Sequence, residues 1–257
     1  MGSKSGLRPR TSVPMAYSEI AVLTVLPKVE EQIAKDRGLA EGGVGGKQLD
    51  CGLLAGRSSV GRGHGICNPY SLSMSELTEQ FGDIDIYLFD QLLRGRIRPG
   101  MRILDAGCGG GRNLVYFRRE GYDVWGVDEI PALAGWEQFR VAKVEKMPFP
   151  SADFDVVLSS AVLHFARSIA HFDAMLNEMW RVLKPGGLLF CRLASSIGMP
   201  HLAVGRTVLP DGSERFLVDA AMLLERTAAL GGELEDPLKT TVVHEMRCMT
   251  TWVARKM

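Results

Sequence analysis

The chain has 257 residues, with thirty lysines and arginines against thirty aspartates and glutamates, 46% hydrophobic and 23% charged. That is ordinary globular composition, long enough for one sizeable core and a small appendage. A formal charge of zero argues against the one-sided basic charge with which proteins grip duplex nucleic acid, so no nucleic-acid partner is expected.

The longest apolar runs, such as residues 20–26, fall far short of the roughly 20 residues that span a bilayer, so no membrane role is expected. The start lacks the apolar segment of a secretory signal, and Gly6 stands where a myristoylation motif wants Ser or Thr. A cytoplasmic location is the expectation. Cys51, Cys67, Cys108, Cys191 and Cys248 are scattered without Cys-x-x-Cys pairs or partnering histidines, which indicates reduced thiols and no metal site.

Residues 17–37 could form an amphipathic helix interrupted by Pro27. Nine glycines then fall within residues 41–65, too few large apolar groups remaining there to offset the entropy of ordering. Residues 1–73 are therefore read as a poorly specified, flexible extension, with Met74 a conceivable true start, and residues 74–257 as the folded domain. From there the pattern sharpens. Asp83 can cap a helix carrying Leu88, Phe89, Leu92, Leu93 and Ile97 on one face and stopped by Pro99-Gly100.

Strands and helices then alternate: strand 101–106, helix 112–120, strand 122–127, a brief helix around 132–139, strand 154–159, helix 171–183, strand 188–193 and helix 216–230. Repeated βα units imply a parallel sheet covered on both faces, with ligands at the carboxyl ends of the strands. Two last strand-like segments, 239–243 and 248–254, lie too close for a parallel crossover, so they form a hairpin that adds an antiparallel strand.

The strongest local signal is Gly107-Cys108-Gly109-Gly110-Gly111-Arg112-Asn113 at a strand-to-helix turn, with Asp105 two residues ahead. Glycines let the backbone pass close under a ligand, and the helix start offers unpaired N–H groups. The spacing is G-x-G-x-G, whereas a dinucleotide loop needs its third glycine where Arg112 stands. Asp128 closes the second strand, where a carboxylate can accept both hydroxyls of a ribose.

At these residues the chain resembles the class I methyltransferases that use S-adenosylmethionine, in their type 11 and tellurite-resistance-like branch, which shares the Gly-Cys-Gly-x-Gly-Arg-Asn run and the Gly121-Tyr122-Asp123-Val124 that follows. Met147-Pro148-Phe149, Phe154-Asp155-Val156-Val157 and Leu183-Lys184-Pro185-Gly186-Gly187 match further blocks in order, over about residues 80–257. The resemblance implies a Rossmann-like seven-stranded sheet, mostly parallel with the antiparallel hairpin strand and with helices on both faces. It also implies methyl transfer from S-adenosylmethionine, leaving S-adenosylhomocysteine, to a small-molecule acceptor.

Carried over, it gives Asp105 to the amino-acid end of the cofactor, largely through water or the loop, and Gly107, Cys108 and Gly109 to the methionine moiety. Asp128 would hold the ribose, with Glu129 and Ile130 against the adenine and Ser159 completing the pocket. Where the family often places an aspartate for the adenine amino group this chain has Lys143, which leaves that contact to the backbone at Val144 or to Glu145. His164, past the fourth strand, is the one candidate for a general base, a role that an already nucleophilic acceptor does not need. The acceptor pocket would draw on Tyr70, Tyr87, Phe89, Arg192, His201 and Arg206. Two rivals stand beside this reading: an inactive methyltransferase-like scaffold, suggested by Lys143, and a nicotinamide-dependent oxidoreductase, opposed by the glycine spacing.

Overall fold

The computed structural model describes residues 74–257; the expectations for residues 17–37, 41–65, Tyr70, Cys51 and Cys67 lie outside the described residues. In chain order the elements are α1 (Met74–Phe81), α2 (Ile86–Leu93), β1 (Arg102–Ala106), α3 (Val115–Arg119), β2 (Asp123–Asp128), β3 (Phe139–Val141) and β4 (Phe154–Ser160). After a 3₁₀ turn at Leu163–Phe165 follow α4 (Ile169–Val182), β5 (Leu183–Ala194), β6 (Gly205–Val208), β7 (Glu214–Leu217), α5 (Ala220–Ala229), β8 (Gly232–Leu234), β9 (Lys239–Val243) and β10 (Arg247–Lys256).

All strands but β6 and β7 form one sheet, in the order β3-β2-β1-β4-β5-β10, parallel up to β5 and antiparallel at β10. Beyond β10 the edge is shared: β9 pairs with Arg247–Thr251 and β8 with Ala254–Lys256, so the seventh place of the expected sheet is filled by two short strands. The hairpin inferred from residues 239–254 is therefore present, with β10 as its inner strand.

Burial alternates along the strands because successive side chains point to opposite faces. Val157 of β4, Leu189, Cys191 and Leu193 of β5 and Trp252 of β10 join one apolar cluster, with Phe172, Met175, Leu176 and Met179 of α4 and Leu223 of α5. Their neighbours Val156, Leu158, Leu188, Phe190 and Val253 join the other, with Leu88 of α2 and Phe117 of α3. Side chains cap α4 and α5: Ser168 accepts from the His171 N–H, and Asp219 from the Met222 N–H. Among the described residues no helix is long and apolar enough to cross a membrane.

Four local readings need correction. The cap of α2 is Asp85, not Asp83, and its buried face holds Leu88 and Gln91 while Leu93 is 72% exposed. Residues 132–139 are turns leading into β3, because Phe139, Arg140 and Val141 pair with Gly126, Val127 and Asp128. The helix expected over 216–230 begins only at Ala220, its front being β7, and β7 closes a separate hairpin with β6. The strand expected over 188–193 starts at Leu183.

The corrected face of α2 is testable. Leu88→Ala should lower stability by about 2–5 kcal/mol and Leu93→Ala by less than about 0.5 kcal/mol, both read from denaturant unfolding.

Candidate functional site

The chain runs from β1 outward to β2 on one side and returns to β4 on the other, so the carboxyl ends of β1 and β4 flank a topological switch point, the place where open α/β sheets bind ligands. A cleft of about 510 Å³ opens there, lined by Gly107 and Gly109 after β1, Asp128, Glu129 and Ile130 at the end of β2, Lys143, Val144 and Glu145, and Val162 beyond β4.

The loop between β1 and α3 is fixed by β2. The N–H groups of Gly107 and Cys108 donate to the Val127 carbonyl at 2.8 and 3.1 Å. Asp128 then accepts from the Gly109 N–H at 2.8 Å through Oδ2 and from the Ile130 N–H at 2.9 Å through Oδ1. Each oxygen retains lone-pair capacity for a further donor. Gly107 is at φ +83°, and a Cβ there would lie 2.5 Å from Val162 Cγ2, whereas one at Gly110 would meet nothing within 4 Å among the described residues.

Asp105 lies behind this loop, 1% exposed, and its Oδ2 has no hydrogen-bond partner among the described residues. Burial pushes its carboxyl up to about 7, although the Arg112 charge and a hydrogen bond from Asn113 pull the other way. Ser159, fully buried in β4, likewise has an unpartnered Oγ. Neither lines the cleft, so any influence on a ligand runs through the loop or water.

Two further candidates do not line the cleft. Cys108 belongs to the apolar cluster under α3, where its Sγ occupies the space in which a Cβ on Gly126 would lie 2.8 Å away. Burial, with the nearby Asp105 and Asp128 charges, pushes its thiol well above the usual range, so only its backbone serves the loop. His164 is 6% exposed and lines a second cavity. Its Nδ1 accepts from the Ala194 N–H at 3.3 Å, which leaves Nε2 carrying the proton, and burial aided by the Arg215 charge pushes its pKa down to about 4. The ring offers a donor, so the geometry does not favour a base there.

Glu145 does reach the cleft. Its Oε1 lies 3.3 Å from His171 Nε2 and 3.8 Å from Arg167 Nη2. Burial raises its carboxyl, but its own N–H and His171 outweigh that and hold it below the ordinary value. A carboxylate therefore stands two residues beyond Lys143 in the same wall.

A buried polar cluster joins the loop to the preceding helix. Arg112 donates to Ser160 Oγ at 2.9 Å, Ser160 Oγ and Arg192 Nη1 both donate to Asp85 Oδ2 at 3.2 and 3.1 Å, and the Asp85 N–H donates to Asn113 Oδ1 at 3.0 Å. Arg112 and Asn113 stood in the quoted glycine run, but Asp85 and Ser160 carried no signal that would have singled them out. Of the residues expected around an acceptor, Arg192 lines the second cavity; Tyr87 supports it, its ring under the Arg192 guanidinium and its hydroxyl 2.8 Å from Thr241 Oγ1. Phe89, His201 and Arg206 line neither cavity.

Residues 104–191 match the family described as a methyltransferase domain. The ubiquinone/menaquinone biosynthesis C-methyltransferase of Bordetella parapertussis is 31% identical over 170 residues, covering 56% of this chain and 65% of that protein. In fold the chain resembles an S-adenosylmethionine-dependent methyltransferase structure from Methanosarcina mazei, TM-score 0.55 at 18% identity over 65% of this chain and 97% of that one. It also resembles the Burkholderia thailandensis 1,6-didemethyltoxoflavin N1-methyltransferase with bound S-adenosylhomocysteine, TM-score 0.52 at 22% identity over 66% and 76%. The matched segment, residues 104–191, is similar to S-adenosylmethionine-dependent methyltransferases, and the chain spans about three tenths to two thirds of the length of the curated relatives it matches.

The residues present fit that cofactor: among the described residues nothing would crowd a Cβ on Gly109 or Gly110, and Asp128 is aimed by two backbone donors. Two predictions follow from this geometry. Gly107→Ala should weaken S-adenosylhomocysteine binding at least 100-fold in calorimetry while Gly110→Ala changes it less than threefold. Asp105, raised from an ordinary 3.8 to about 7, binds a proton more readily folded than unfolded, so its burial costs stability increasingly from pH 4 to 7. Asp105→Asn should therefore melt higher than the unmodified apoprotein at pH 8, with the difference vanishing near pH 4.

Proposed function

We propose that the chain is an S-adenosylmethionine-dependent methyltransferase acting on a small-molecule acceptor by in-line transfer. Bound in the cleft, the cofactor would supply a sulfonium methyl group as the electrophile. The observation that carries this reading is Asp128, whose two carboxylate oxygens are each fixed by one backbone donor and turned toward the cleft. In that arrangement Asp128 would accept the ribose hydroxyls, as a carboxylate does at the same strand end of nucleotide-binding sheets. Glu129, Ile130 and Val144 would flank the adenine, and Glu145, held by His171, would take the role that Lys143 cannot. Gly107 and Gly109 would let the methionine portion pass close to the backbone, over the buried Asp105 and Ser159.

Methyl transfer needs alignment more than proton movement, and alignment is worth roughly 7–11 kcal/mol in favourable cases. The walls of the cleft, meeting the second cavity at Ala161 and Phe165, supply that alignment. The similar proteins differ in acceptor atom, one named a C-methyltransferase and the other an N1-methyltransferase, which fits a fold whose cofactor half is constant and whose acceptor half varies. The buried free thiols of Cys108, Cys191 and Cys248 support a reducing, cytoplasmic setting, with residues 74–257 as the working domain.

Calorimetry with the full chain tests the reading. S-adenosylhomocysteine should bind with micromolar affinity, about −8 kcal/mol, and Asp128→Ala should weaken it at least 100-fold without loss of fold by circular dichroism. Equal binding by the variant, or none by the unmodified protein, would overturn the proposal.

A further inference from the structure

A second cavity of about 370 Å³ adjoins the cofactor cleft, the two sharing Ala161 and Phe165 as a common wall. Its size suits one small ligand. Ala161 is held at φ +65°, a conformation that non-glycine residues seldom adopt, with its N–H donating to the Arg192 carbonyl at 2.7 Å. Strain of that kind persists only where the surroundings over-determine it, and here it sits at the junction of the two spaces.

The lining is divided by chemistry. Phe165, Ala194, Leu209, Val243 and Met249 supply an apolar part. Three arginines reach the cavity from three different strands: Arg192 from β5, Arg215 from β7 and Arg247 from β10. Among the described residues Asp211 is the lining carboxylate, and the buried Asp85 behind the wall matches Arg192, so one positive charge remains in excess there. Arg215 is further set by stacking, its guanidinium 5.0 Å from the Phe165 ring centroid, and Arg192 Nε is buried without a hydrogen-bond partner among the described residues. His164 also lines the cavity, its Nδ1 occupied by the Ala194 N–H, so its Nε2–H is the edge left to donate.

We propose that this cavity is the acceptor site and that it takes a small organic anion with an apolar body. The inference rests on the proposed methyltransferase activity and narrows its substrate class. Arg215 and Arg247 hold the anionic group, a carboxylate or phosphate, by charge-assisted hydrogen bonds. The apolar body lies along Phe165, Leu209 and Met249 toward Ala161, which directs the far end of the acceptor at the cofactor cleft. His164 is a positioning donor in this arrangement.

The test uses the full chain saturated with S-adenosylhomocysteine and the matched probes 2-naphthoate, 2-naphthyl phosphate and neutral 2-naphthamide, titrated calorimetrically at physiological ionic strength. One anion should bind at least tenfold tighter than the amide, and which one does so tells a carboxylate site from a phosphate site. Arg215→Gln and Arg247→Gln should each cut that preference at least threefold while S-adenosylhomocysteine affinity stays within twofold. If S-adenosylhomocysteine binds and neither anion exceeds the amide, or the preference survives both substitutions, the inference is overturned and the methyltransferase reading stands. If S-adenosylhomocysteine does not bind at all, the underlying reading fails and takes this one with it.

Discussion

The carboxylate of Asp128 ties two loops to one strand end. It accepts from the Gly109 N–H and the Ile130 N–H, while the Val127 carbonyl just before it accepts from Gly107 and Cys108. Backbone donors that a tight glycine turn leaves exposed must find partners, and here a single strand terminus provides them. The cleft depends on that closure, because it sets how far the loop stands from Val162 and which way the Asp128 oxygens point. Gly107 is compatible with it only by lacking a side chain.

Behind the loop the structure holds an unfavourable element. Asp105 is almost fully buried with one oxygen unpartnered, and Arg112 and Asn113 offset only part of the cost. A buried carboxylate that lacks a full set of partners destabilises the apoprotein and is retained where function requires it. The cluster of Arg112, Ser160, Asp85 and Arg192 extends from the same place to the wall of the second cavity. The glycine loop and the wall of the second cavity therefore share one polar frame, anchored at the start of α2.

The sequence was most legible where local chemistry and long-range structure demand the same residues. The alternation of apolar strands with amphipathic helices set the α/β class, and the glycine run followed by Asp128 located the cleft. Legibility ended where pairing alone decides. Trp136 and Phe139 have helical spacing, yet Phe139–Val141 becomes a strand because β2 offers an open edge. Cys108 looked like a loop residue, but Gly126 leaves room for its sulfur in the core. Arg215 and Arg247 escaped notice because 32 residues separate them, and only the β6–β7 hairpin and the β9–β10 turn bring them to one cavity. The orientation of His164 depends on a backbone N–H thirty residues away, which no local pattern encodes.

The central claim is that Asp128, fixed by the glycine loop, receives a nucleoside. A crystal structure of the full chain with S-adenosylhomocysteine tests it most directly. The account predicts both ribose hydroxyls at roughly 2.6–3.0 Å from the Asp128 oxygens, with Gly109 and Ile130 still donating to them. A nucleoside bound elsewhere, or a ribose without contact to Asp128, would contradict it.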